Sequence, residues 1–133
     1  MSAGYWLVLT LGMTSLLWMP YVLDRVVKLG IPRVLANPGR ADMDEQSAWA
    51  RRAKLAHANA VEGLVVFGPL AALAVHRNIG GTALVANACA VYFFARLLHY
   101  VVYSAGIPVV RTVLFLAGFG AQIALVVALL GAA

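Results

Sequence analysis

Arg96, His99 and Tyr103 recur at i, i+3 and i+7, a spacing that puts a guanidinium, an imidazole and a phenol on one face of a helix. Arg111 and Thr112 follow a few residues later, beyond a turn-forming Ser104-Ala-Gly-Ile-Pro108. Upstream, Asn59 and Glu62 are i, i+3 neighbours with His57 close by. If the two groups converge, these residue types form a pocket for a polar, net-anionic ligand. Two simpler roles stand beside that one: Glu62 can pair with Arg96 across a bundle, and Arg111 can snorkel to lipid headgroups from a helix start. A metal site built on His57, His99 and Glu62 is disfavoured, because neither HxxxH nor HExxH spacing occurs. The chain also has no Gly-rich phosphate loop and no supported Ser-His-Asp pattern.

The elements that must hold these residues are apolar. Of 133 residues, 63% are hydrophobic and 11% charged, and the mean hydropathy is +0.88. A small soluble domain cannot enclose so much apolar side chain. The uncharged runs 5–23, 63–76, 78–95 and 112–133 lead to an all-α integral membrane protein, a single domain over 1–133 with helices at about 4–29, 47–76, 82–104 and 108–131. The second run reaches spanning length only if it extends back through Glu62, Asn59 and His57, which puts polar groups inside a spanning helix. Pro20 is expected to bend the first helix and Pro69 the second, while Pro108 suits the first turn of the fourth. Asp42, Asp44 and Glu45 fall where a helix N-terminus favours negative charge. The opening MSAGYWLVLTLGM lacks the basic start and small-residue cleavage site of a secretory signal, so the first run reads as a retained helix. Cys89, the one cysteine, reads as a small buried hydrophobe.

Charge position sets the expected orientation. Arg25, Lys28, Arg33, Arg40, Arg51, Arg52 and Lys54 all lie between the first two apolar runs, out of 10 Lys and Arg in the chain. Short basic connections stay cytoplasmic. Both termini are then periplasmic, and the connection around Ser104 to Pro108 returns to the cytoplasmic face. The formal charge of +5 thus reads as a topology signal, with lipid as the partner and no nucleic acid.

AHANAVE (56–62), FARLLHYVVYSAGIPVVRT (94–112), MPYVLDR (19–25) and the ANP turn (36–38) together resemble the MAPEG family, and its bacterial branch in particular. The resemblance covers essentially the whole chain. It implies a homotrimer of four-helix subunits that binds glutathione as co-substrate between neighbours, near the cytoplasmic face of a bacterial inner membrane. By that likeness Asn59 and Glu62 contact the peptide part of glutathione, and His99 and Tyr103 line the site. Arg111 faces the sulfur, with Thr112 beside it as a hydroxyl donor. Arg96 and Arg52 match basic positions of the family, and Arg25 is a looser candidate from the first helix. Two positions depart from the pattern: Leu55 and Ala58 stand where glutathione-using members often carry basic residues, and Lys54 and Arg52 are the nearby cations.

The implied activity is that of a glutathione transferase or peroxidase acting on lipophilic electrophiles or hydroperoxides. A small oligomeric transporter with Glu62 as coupling carboxylate, and a binding or scaffold protein of the same family without catalysis, are the alternatives. The orientation is testable on a Cys89→Ser background: Ser104→Cys and Ala36→Cys should react with a membrane-impermeant maleimide only in inside-out vesicles, and reaction from the periplasmic side would reverse the topology.

Overall fold

The computed structural model describes residues 1–37, 39 and 45–132. Asp42 and Asp44, expected at the entry to the second span, lie outside the described residues, as do Pro38 and Arg40. The described residues are 84% helix, with no strand among them. Four segments are long and apolar enough to cross a membrane: Ala3–Leu29, Ala48–His76, Ala83–Ala105 and Pro108–Gly131, of 27, 29, 23 and 24 residues. At about 1.5 Å per residue each exceeds the roughly 30 Å of a hydrocarbon core.

The first span is two helices, α1 (Ala3–Leu16) and α2 (Met19–Leu29). Pro20 occupies the first turn of α2, where its missing donor costs least, and the α-helical pattern is interrupted just before it at Leu17 and Trp18. Such a break inside a bilayer needs its freed backbone groups satisfied from within the protein. Tyr100 supplies one partner: its Oη donates to the Leu17 carbonyl at 2.9 Å from a buried position.

Gly30, with φ of 78°, ends α2 and begins a short helix α3 (Ile31–Leu35). A positive φ is open to glycine at little cost. The turn-former reading of Pro32 is thus refined, because the ring sits in the first turn of α3. Glu45 accepts from both terminal nitrogens of Arg33 at 3.1 Å, linking the two ends of the connection. Gln46 Nε2 donates to the Tyr21 carbonyl at 3.0 Å, and the Ser47 amide donates to Asp24 Oδ2 at 3.0 Å. Asp24 thereby lies at the positive end of the helix that begins at Ala48.

That helix, α4 (Ala48–His76), carries Pro69 without interruption and turns a stripe of small residues inward: Ala50, Ala53, Ala56, Ala60, Ala71 and Ala74 are buried. Small side chains let helix backbones approach closely, which favours association in lipid. Phe67 interrupts the stripe and stacks on Tyr92 of α5 (Ala83–Ala105), with ring centroids 3.8 Å apart and planes within 6°. The α4–α5 turn is held to the chain start by the Ala3 amide, which donates to the Gly80 carbonyl at 2.8 Å.

A Schellman-type ending closes α5. The Gly106 amide donates to Tyr103 and the Ile107 amide to Val102, at 3.0 and 3.1 Å, with Gly106 at φ 81°. Arg52 of α4 packs over this turn and donates from Nε to the Ser104 carbonyl at 3.0 Å. Pro108 then starts α6 (Pro108–Gly131), which packs against α5 more extensively than any other described pair of helices.

Both devices are testable by unfolding in detergent. Gly106→Ala should cost about 1–2 kcal/mol from its left-handed backbone, with further strain because an added Cβ would lie 3.2 Å from Arg52 Cζ. Tyr100→Phe should cost about 1 kcal/mol by leaving the Leu17 carbonyl without its donor. Unchanged midpoints in both variants would remove the structural weight placed on these turns.

Candidate functional site

Where α4, α5 and α6 meet toward the basic end, an open cleft of about 250 Å³ is lined by Asn59, His99, Tyr103, Arg111, Thr112 and Phe115. The sequence periodicity explains the convergence. His99 and Tyr103 are one turn apart on α5, and Arg111, Thr112 and Phe115 share the first two turns of α6. The short Gly106 turn brings those two faces together. Arg111 lies over the Tyr103 ring, with its guanidinium carbon 4.4 Å from the centroid. Its positive charge meets an aromatic face, and no carboxylate among the described residues neutralises it. Thr112 Oγ1 donates to the Pro108 carbonyl at 3.2 Å, so its hydroxyl proton points along its own helix.

Arg96 stands behind this lining. It is 3% exposed, and its Nη1 donates to Asn59 Oδ1 at 2.9 Å. The guanidinium also lies over Tyr92 and Phe115, at 5.1 and 5.4 Å from the ring centroids. Two glycines make room for it: a Cβ on Gly63 would come within 2.7 Å of Tyr92 Oη and 3.0 Å of Arg96 Nη2, and one on Gly118 within 3.2 Å of Arg96 Nε. Gln122 completes the polar layer by donating from Nε2 to the Gly63 carbonyl at 2.9 Å.

The other sequence candidates are dispersed. Glu62 is exposed on the outer face of α4 and has no hydrogen bond or ion pair to the described residues, so the pairing with Arg96 that the sequence allows is not formed. His57 turns toward α2, where its Nδ1 is hydrogen-bonded to Tyr21 Oη at 3.0 Å. Arg52 binds the α5–α6 turn. Arg25 is half-buried on α2, with Nε and Nη2 enclosed and without hydrogen-bond partners among the described residues. Leu55 and Ala58 line a separate recess with Gln46, Arg51 and Lys54.

Sequence reasoning did not single out Phe115, Tyr92 or Gln122. Signals for two of them exist. Phe115 lies one turn beyond Arg111, and Gln122 is the single polar side chain between Thr112 and the end of an otherwise apolar run.

Four helices long and apolar enough to cross a membrane, three of them forming a donor-lined cleft toward the basic end, define an integral membrane protein of the small helical-bundle class. The chain belongs to the MAPEG family, whose family model matches residues 3–131, and this family includes glutathione transferases and peroxidases. No curated protein matches the chain, and no solved structure does.

The room around Arg96 can be tested directly. Gly63→Ala should destabilise the bundle by about 1–3 kcal/mol through overpacking against Tyr92 and Arg96, whereas Gly68→Ala, with open space at its Cβ, should be neutral or stabilising. Equal unfolding midpoints for the two variants would contradict the tight fit at Gly63.

Proposed function

We propose that the protein is a glutathione-dependent membrane transferase or peroxidase, with Arg111 as the residue that stabilises the thiolate. The observation that carries this reading is the placement of Arg111: a cation in the cleft wall, fixed by the Tyr103 ring and left without a carboxylate partner among the described residues. A free thiol titrates near pH 8.5, so only about 3% is thiolate at neutral pH. A guanidinium beside the sulfur favours the anion, and each unit of depression corresponds to roughly 1.4 kcal/mol. Arg111 lies in the first turn of α6, where the backbone donors of a helix start favour negative charge as well.

Asn59, His99 and Tyr103 then hold the peptide portion. The thiolate sulfur bonds to an electrophilic carbon, displacing its leaving group or adding to an activated double bond that then takes up a proton, and so gives a conjugate. Alternatively it bonds to a peroxide oxygen and breaks the O–O bond, giving a sulfenic acid and, after proton uptake, an alcohol; a second glutathione then converts the sulfenic acid to the disulfide and water. Lipophilic substrates reach the cleft from the bilayer. The open cleft, at about 250 Å³, is smaller than the roughly 300–1,000 Å³ of enclosed small-molecule sites, which supports a site completed by a neighbouring subunit of a homotrimer. Glu62, Arg52 and Arg25 would contribute from that larger assembly. The basic connection supports a cytoplasmic placement of the site, and the bacterial inner membrane is what the resemblance to the bacterial branch implies.

One observation favours a second reading, a proton-coupled transporter: Glu62 is a carboxylate within a spanning helix with no partner among the described residues. Ultraviolet absorbance of the thiolate separates the two. Titrating glutathione into the detergent-solubilised protein at neutral pH should give a saturable thiolate band. Arg111→Ala should reduce the ionised fraction about tenfold or more, toward the free-thiol level. A signal undiminished in Arg111→Ala would refute the assignment of that residue. No signal in the wild-type protein, together with vesicle efflux lost in Glu62→Gln, would favour the transporter.

A further inference from the structure

We infer that Arg96 is a positioning residue: by holding the Asn59 amide oxygen it commits Asn59 to present a donor to the cleft, so that the ligand group lodged there must be an acceptor oxygen, anionic or carbonyl. The inference deepens the reading above, and rests on it for the choice of one probe.

An asparagine amide offers an oxygen acceptor on one side and an NH₂ donor on the other, and its identity toward a ligand depends on which side is already occupied. Here chemistry fixes the orientation. Arginine has donors only and stays protonated, so the atom that Arg96 Nη1 meets at 2.9 Å must be the amide oxygen. Arg96 cannot readily turn away, being 3% exposed, bracketed by Tyr92 and Phe115, and enclosed between Gly63 and Gly118.

The Asn59 Nδ2 is neither hydrogen-bonded to the described residues nor among the buried atoms that lack partners, and Asn59 lines the cleft. That leaves the NH₂ group for the cleft. Arg111, a second donor-only group, is on the same lining, and no carboxylate is. A ligand group with only donors would displace water from both without replacing its hydrogen bonds, which loses affinity.

The role also differs from direct binding by Arg96. The guanidinium acts through Asn59 and through Phe115, which lines the cleft while packing over it. Its substitution should therefore alter recognition without requiring a lost contact to the ligand.

The deciding variant is Asn59→Asp. It keeps the shape and gives Arg96 a carboxylate partner, so the thermal midpoint should be kept or raised, while the second carboxylate oxygen replaces the donor facing the cleft. Binding of S-hexylglutathione to the detergent-solubilised protein should weaken about 10- to 100-fold, the range for losing a hydrogen bond to a charged group. Arg96→Gln frees the Asn59 amide to flip and should raise the KM for glutathione more than it lowers kcat, and Arg96→Lys, which restores a donor, should recover part of the loss. Unchanged affinity in Asn59→Asp with an intact midpoint would overturn the inference.

If the wild-type protein does not bind S-hexylglutathione, the glutathione reading falls and the inference is decided separately by sulfate. In protein labelled with ¹⁵N-asparagine, sulfate should shift the Asn59 side-chain amide resonance saturably in the wild type and not in Arg96→Gln. Absence of that shift in the wild type would refute the donor role itself.

Discussion

A guanidinium buried in the middle of a helical bundle constrains every helix around it. An arginine side chain is a permanent cation in proteins, and isolating such a charge from water is costly unless it is met by oriented polar groups or aromatic faces. The helices meet this demand in part, and with no carboxylate among the described residues, while Arg96 Nε stays buried without a hydrogen-bond partner among them. Asn59 supplies an oxygen from α4, Tyr92 and Phe115 supply ring faces from α5 and α6, and Gly63 and Gly118 leave the volume that the guanidinium fills. Glycine at those two positions is thus a packing requirement of the arginine.

The same constraint separates the roles of two arginines. Arg96 is committed to the interior, whereas Arg111 lies at a helix start with an aromatic ring as its neighbour and its charge unpaired among the described residues. What sets Arg111 in place is the turn before it: the left-handed Gly106 reverses the chain, Arg52 covers the last carbonyls of α5, and Pro108 begins α6 at once. A longer or looser connection would separate Tyr103 from Arg111. Turn chemistry, far more than the composition of the spans, therefore determines the cleft.

Much of this is legible in the sequence, and the rest fails for identifiable reasons. Four apolar runs, the prolines and the i, i+3, i+7 spacing on α5 are local signals, and the all-helical membrane fold follows from them. Helix rotation is not local. Asn59 and Glu62 are three residues apart, an offset of about 60° on a helix of 3.6 residues per turn. That is enough to turn Asn59 inward to Arg96 while Glu62 faces out. His57 lies on yet another side and meets Tyr21. The break at Leu17 and Trp18 likewise depends on Tyr100, 83 positions further along the chain, whose donation to Leu17 no periodicity encodes.

The outward turn of Glu62 leads to a last step. A carboxylate within a spanning helix is too costly to leave against lipid, yet the described residues offer it no partner. The cleft, meanwhile, is open on one side and lined by one cation, Arg111, and by further donors, with no acid among its described lining residues. An exposed acid on one face of the chain and a surplus of donors on another are complementary features, and the assembly proposed above, in which a second copy covers the surface carrying Glu62, would satisfy both.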